Sequence, residues 1–174
     1  MPFESLQRHV LQGSNIETVL RDSAAELCEA FGADRITIYR VIDKGATLSA
    51  IVQTGLESYD AVKVSLEGRR SVAGQVGALK KTVNIANAYD DKELAPLELQ
   101  RKMFVAVDER TGYRTTQVLA APILSNGGKL LGVVELFNRL DNDRFPESCE
   151  DDIADLCATL APAFLLLAKQ HSPA

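Results

Sequence analysis

Two strongly apolar segments joined by a glycine-bearing turn set the tightest limit on how this chain can fold. Val118-Leu119-Ala120-Ala121-Pro122-Ile123-Leu124 and Leu130-Leu131-Gly132-Val133-Val134-Glu135-Leu136-Phe137 flank Asn126-Gly127-Gly128. An Asn-Gly pair between two strand-forming runs is a strong short-range hairpin signal. Odd and even positions are both apolar, so both faces must be covered, and the pair is expected at the centre of an antiparallel sheet. Glu135 interrupts this pattern on the face expected to hold Leu131, Val133 and Phe137. A carboxylate there is costly unless something satisfies it.

The rest of the chain alternates between helical and strand periodicity. Ser14-Asn15-Ile16-Glu17 fits a capping box, after which Val19, Leu20, Ala24, Leu27, Cys28 and Phe31 recur at helical spacing until Gly32. Leu6 to Leu11 fits a shorter helix before it, or one that pairs with another subunit. Ile36 to Ile42 is β-branched and alternating, and Asp43-Lys44-Gly45 turns it into Thr47 to Gln53 as a second hairpin. A third strand is expected over Ala61 to Leu66. Ser71 then has the side chain to cap a short helix running through Gly77 and Leu79. Thr82 to Ala86 reads as a short strand. Asp90 to Tyr113 has mixed polarity, with Pro96 and a helical piece around Leu97 to Phe104; connections of this length often act as lids. A closing helix from Glu147 carries Ile153, Leu156, Cys157, Leu160, Phe164 and Leu167 at helical spacing. It has Asp151, Asp152 and Asp155 near its N-terminus and should bend at Pro162. This order implies an α+β domain, an antiparallel sheet with helices against it.

Composition narrows the chemistry. At 174 residues and 46% hydrophobic, one domain with a sizeable core is expected. The net charge of -5, with Lys and Arg interspersed among acids, leaves no stripe for nucleic acid. No apolar run approaches the roughly 20 residues that span a bilayer. Met1-Pro2-Phe3-Glu4 opens a polar segment without a signal core, so a cytoplasmic location is expected. Cys28, Cys149 and Cys157 form no C-x-x-C pair and read as reduced thiols rather than disulfides or zinc ligands. His9 and His171, both near the termini, leave little room for histidine-based metal, haem or triad chemistry. No cofactor and no metal are expected.

The polar chemistry concentrates in Ser71-Val72-Ala73-Gly74, in Asn84-Ile85-Ala86-Asn87-Ala88-Tyr89, and in an Asp108-x-x-Thr111-Gly112-Tyr113-Arg114-Thr115 loop that leads into the hairpin ending at Asn138-Arg139. Together these resemble the GAF family of small-molecule-sensing domains, and within it the cyclic-nucleotide-binding branch of phosphodiesterases and cyclases. They are also similar to GAF domains appended to secretion and pilus-assembly ATPases. The resemblance covers roughly Ser14 to Lys169. It implies the GAF fold: an antiparallel central sheet with terminal helices on one face and a lid with short helices on the other. On that reading residues 1–13 are an N-terminal helical extension, 14–170 the domain and 171–174 a tail.

The resemblance also implies a pocket. A helix start attracts anions, and small residues let a ring or phosphate approach the backbone, which makes Ser71, Val72 and Ala73 candidates; an ordinary capped helix is the plainer reading. Asp108, Thr111 and Thr115 match pocket-facing positions, Phe104 an aromatic that stacks on a base, Thr37 a pocket hydroxyl, and Glu135 an acid near the bound nucleotide. The plainer readings are a turn capped by Asp108, and a Glu135 that is exposed or paired with Arg40 or Arg35. Asn138-Arg139 to Phe145-x-x-x-Cys149-Glu150 resembles the family's N-K-F-D-E signature, with Arg139 for the usual lysine and Cys149 for the usual aspartate. The Lys–Asp latch of the family would here become Arg139 with Glu150 or Asp151, beside Asn138 and Phe145. A Phe-Asp pair that the family places in the second hairpin has no counterpart around Ala46 to Ala50.

The function expected from these residues is a non-catalytic regulatory domain. It would bind a small molecule under the lid, with cyclic AMP and cyclic GMP as candidates, and signal through terminal helices paired in a homodimer. Ala161 to Ala168, apolar almost all round, supports the pairing. The alternative is a ligand-free dimerisation or protein-interaction module of a larger signalling or secretion protein. Free methionine-R-sulfoxide reductases of the same family need cysteines around the pocket. Here Val72 stands where one is expected, and Cys28 and Cys157 lie on apolar helix faces.

Overall fold

The Asn-Gly hairpin lies within a six-stranded antiparallel sheet. The computed structural model describes residues 3–170, so the 171–174 tail and His171 lie outside the described residues. The strands are β1 (Ala33–Ile42), β2 (Thr47–Gln53), β3 (Lys63–Ser65), β4 (Val83–Ile85), β5 (Val118–Leu124) and β6 (Leu130–Arg139). Their order across the sheet is β3-β2-β1-β6-β5-β4. β6 thus runs between β1 and β5, which is why its sequence is apolar on both faces. Ser125 closes the hairpin by accepting the Gly128 amide at 2.9 Å, and Gly128 takes the positive φ of +80° that this turn requires.

Six helices cover the two faces: α1 (Glu4–Leu11), α2 (Ile16–Phe31), α3 (Val72–Leu79), α4 (Asp91–Leu94), α5 (Arg101–Thr111) and α6 (Glu147–Gln170). On one face α1, α2 and α6 bury Phe3, Leu6, Leu20, Phe31, Ile153 and Phe164 against Ile36, Ile38, Leu119, Val134 and Leu136. On the other, α3 and the 83–104 segment cover Tyr39, Leu48, Val118, Ala120 and Val133. The two-residue period of a strand sends alternate side chains to the two cores. Gly132 sits where no side chain fits, since a Cβ would collide with the Tyr39 carbonyl and lie 2.9 Å from the Phe164 ring.

Several sequence expectations need correction. The cap of α2 is Asn15 rather than Ser14; its Oδ1 accepts the Thr18 amide at 3.2 Å. The third strand is limited to Lys63–Ser65, at the sheet edge. Leu131 packs in the helical core, not beside Val133 and Glu135, because the β5–β6 register shifts between Ile123 and Leu124 and inverts the alternation there. The helix expected around 97–104 instead begins at Arg101 and runs to Thr111, after a 3-10 turn over Ala95–Leu97. Nothing in 101–111 stops a helix until Gly112 adopts the left-handed conformation, so Asp108 and Thr111 belong to a helix and not to a loop. The closing helix starts at Glu147 as expected, and α6 runs to Gln170 with Pro162 inside it. Its apolar C-terminal half is partly covered within the chain by α1, leaving Leu166 54% exposed.

Candidate functional site

β1 and β6 are direct neighbours, and their register places Arg35 opposite Phe137 and Thr37 opposite Glu135 on the face away from the terminal helices. Those side chains, with Tyr39, floor a cavity of about 210 Å³. α5 covers it with Met103, Phe104, Val107, Asp108, Arg110 and Thr111; Arg70, Ser71 and Val72 from the start of α3 and Tyr113 and Thr115 from the segment after α5 complete the polar wall. Thr37, Ser71, Val72, Phe104, Asp108, Thr111, Thr115 and Glu135 therefore converge from five separated stretches on one space. Ala73 does not line it; its methyl is buried in the adjoining core, one residue further round α3.

Glu135 is 4% exposed, and its partner is Tyr39, not Arg35 or Arg40. Burial pushes its carboxyl up from 4.5 to about 7, against the smaller downward pull of the Tyr39 hydrogen bond. Burial first, and the neighbouring Glu135 second, hold the Tyr39 phenol well above its ordinary range, so Tyr39 is the donor of the pair. Glu135 can accept a hydrogen bond from a molecule in the cavity when charged and donate one when neutral.

Asp108 has a structural task in addition to its place on the wall. Its Oδ2 accepts the Thr115 amide at 2.9 Å and the Tyr89 hydroxyl, and its Oδ1 accepts the Thr115 hydroxyl at 2.9 Å. The carboxylate thereby ties the covering helix to the segment before β5 and to the loop after β4. Arg114 lies over the Tyr89 ring, 4.1 Å from its centre, reinforcing the same junction. Thr111 donates to the Val107 carbonyl at 2.9 Å, a bond internal to α5. Ser71 caps α3 as its sequence suggests, accepting the Gly74 amide at 3.0 Å.

Below the cavity Asn138 is a hub. It adopts a left-handed conformation with φ +55°, one that asparagine tolerates better than most residues. Its Oδ1 accepts from the Thr116 amide at 2.7 Å and the Gln117 amide at 3.2 Å, while its Nδ2 donates to the Arg114 carbonyl at 2.8 Å and the Tyr113 hydroxyl at 3.0 Å. Tyr113 in turn donates to Asp34 at 2.7 Å, and its ring carries the Arg35 guanidinium at 3.5 Å. Arg139 pairs with neither Glu150 nor Asp151. It reaches Asp141 at 2.6 Å and donates to the Arg144 carbonyl at 2.9 Å, since the short turn after β6 brings these groups back to it. Glu150 accepts instead from Asn84 at 2.7 Å, and Asn84 also donates to the Phe145 carbonyl at 2.8 Å. A latch between the turn after β6, the start of α6 and β4 thus exists, with Asn84 at its centre.

The sequence pointed to Asn84 and Tyr89 only as parts of a motif and to Arg35 only as a partner for Glu135, and it gave no site role to Tyr39, Arg70 or Arg110. Tyr39 was recoverable, because it lies two residues after Thr37 in the same strand and so faces the same way. Tyr89 and Asn84 meet their partners across long chain separations that no local pattern reports. The three thiols are buried and none lines the cavity. Burial raises all of them, Cys28 to about 11 with help from Asp34.

The family model for GAF domains matches residues 15–164. A probable 3',5'-cyclic phosphodiesterase of Caenorhabditis elegans is 32% identical over 118 residues, which is 63% of this chain and 15% of that protein. The matched part is therefore a small fraction of the relative's length. Among solved structures, the GAF domain of a phosphoenolpyruvate-protein phosphotransferase from Coxiella burnetii superposes with a TM-score of 0.71 at 23% identity, covering 98% of this chain and 96% of that one. A free methionine-R-sulfoxide reductase from Neisseria meningitidis, solved with its substrate, gives 0.63 at 18% identity over 91% and 83% of the two chains.

Proposed function

The chain belongs to the GAF domain family, and we propose that it acts as a sensor: a small molecule enters the cavity between the sheet and α5, and its binding biases the terminal helices. The observation that carries this reading is the convergence of Thr37, Ser71, Val72, Phe104, Thr111, Thr115 and Glu135 on one space lined by apolar and aromatic side chains. Asp108 and Asn138 hold the covering segment in place around it. Phe145 and Glu150 are joined to β4 through Asn84, and Arg139 fixes the turn before them through Asp141 and the Arg144 carbonyl. The cyclic phosphodiesterase relative makes cyclic AMP and cyclic GMP the first ligands to test. The buried thiols, away from the cavity, favour this reading over thiol-based methionine sulfoxide reduction.

The test is calorimetric and thermal-shift titration with cyclic AMP, cyclic GMP, other purine nucleotides and free methionine sulfoxide. Saturable stabilisation by a cyclic nucleotide is expected, because a ligand that binds only the folded state raises its melting temperature. Phe104→Ala should weaken it by about 10- to 100-fold, the usual worth of a stacked base. No stabilisation by any of them at millimolar concentration would remove the nucleotide reading.

A second reading, a dimerisation module, is favoured by the exposed Leu11 on α1 and Leu166 on α6. Sedimentation of wild type against Leu11→Glu/Leu166→Glu tests it, since an association that survives both charges does not use this face.

A further inference from the structure

We propose that the cavity's ligand is an organic anion with an apolar body, its charge held by Arg70 and Arg110 at the start of α3 and on the covering helix, with Arg35 as a third cation of the same wall. This rests on the cavity being the ligand site. Arg35, Arg70 and Arg110 all line it. Among the described residues, none of the three takes part in an ion pair: Arg35 lies over the Tyr113 ring with Glu57 as an electrostatic neighbour, and Arg70 and Arg110 are exposed at the cavity's rim. Three such cations around one cavity run against a chain whose net charge is -5.

The cavity's own acids are fewer than these cations, and among the described residues no ion pair joins the two sets. Asp108 and Glu135 are the carboxylates on its wall. Both oxygens of Asp108 are taken by Thr115 and Tyr89. Glu135 is engaged by Tyr39 and, with its carboxyl pushed up to about 7, is close to half protonated near neutrality. Three guanidinium groups thus stand against two carboxylates on the wall, an excess of positive charge.

The start of α3 adds an independent argument. A helix N-terminus is normally compensated by acids in its first turn. α3 has none there, and Arg69-Arg70 stands directly before its cap. Ser71 serves the Gly74 amide, while the amides of Val72 and Ala73 precede the reach of the helical ladder. An anion seated here would meet the helix start and the guanidinium groups together. Their planar forks suit carboxylate and phosphate oxygens alike. The remaining wall of Val62, Met103, Phe104 and Phe137 fits an aromatic or aliphatic body.

The experiment compares matched probes on the full chain: 1-anilinonaphthalene-8-sulfonate and its uncharged relative N-phenyl-1-naphthylamine, followed by fluorescence. The sulfonate should bind at least tenfold more tightly in 50 mM salt, and 500 mM salt should remove most of that advantage. Arg70→Gln/Arg110→Gln should bring the two probes within threefold of each other, whereas Phe104→Ala should weaken both. Displacement by cyclic GMP would assign a phosphate ligand and displacement by 2-naphthoate a carboxylate. Equal binding of the two probes to wild type, or an unchanged ratio in the double variant, overturns the anion inference and leaves the sensor reading standing. Insensitivity of both probes to Phe104→Ala would overturn both.

Discussion

Replacing Glu135 by glutamine should stabilise this domain above neutral pH and leave it unchanged in acid. The carboxyl is carried from an ordinary 4.5 to about 7, chiefly by burial. Below pH 4.5 it is protonated in the folded and the unfolded chain, and its titration contributes nothing. Between 4.5 and 7 the unfolded chain releases the proton while the folded chain keeps it, so stability falls as pH rises. Above 7 the loss is complete, at about 3 kcal/mol from a gap of this size. Glutamine is nearly isosteric, can still accept from Tyr39, and carries no such term. Wild type and Glu135→Gln should therefore coincide near pH 4.5 and separate progressively to pH 8. For a domain of this size the melting temperatures should then differ by roughly 6–12 °C. Thermal and urea unfolding followed by circular dichroism between pH 4.5 and 8.5 measures the gap. Parallel pH profiles for the two proteins would refute the argument that burial without a compensating cation sets the behaviour of this carboxyl. A destabilising acid kept on a ligand-sized cavity is the trade of stability for recognition that binding sites commonly make.

Asp108→Ala should leave the Thr115 amide and the Tyr89 hydroxyl without acceptors and cost about 2–4 kcal/mol. Hydrogen exchange should show faster opening of residues 101–116 than of the sheet; uniform protection would place the support of α5 elsewhere. Gly132→Ala should destabilise the fold by roughly 3 kcal/mol or more through overpacking against the Tyr39 carbonyl and Phe164. Denaturant midpoints decide it, and a change below 1 kcal/mol would mean that the two cores yield more readily than their packing implies. Cys28, Cys149 and Cys157, all buried with raised thiol pKa values, should react with a disulfide reagent at pH 8 only at the rate of unfolding. Rapid modification of any one in the native protein would reopen thiol chemistry.

Local pattern was enough to find both hairpins, the capped α3, the long α2 and α6, and the α+β class, because each rests on interactions between residues close in the chain. The family resemblance, rather than strand period, brought Thr37 and Glu135 to one pocket, and glycines 32 and 128 marked a helix end and a turn. The partners of the polar groups lay beyond that reach. Glu135 met Tyr39 rather than an arginine because β1 pairs with β6 across almost 100 residues of chain, in a register that the packing of both sheet faces selects. Asp108 met Thr115 and Tyr89 because α5 extended further than its mixed polarity suggested. Arg139 turned to Asp141, leaving Glu150 to Asn84. Short-range preferences are additive along the chain and can be read from it. A buried charge takes whichever partner packing brings within hydrogen-bond distance, and only the folded chain supplies that choice.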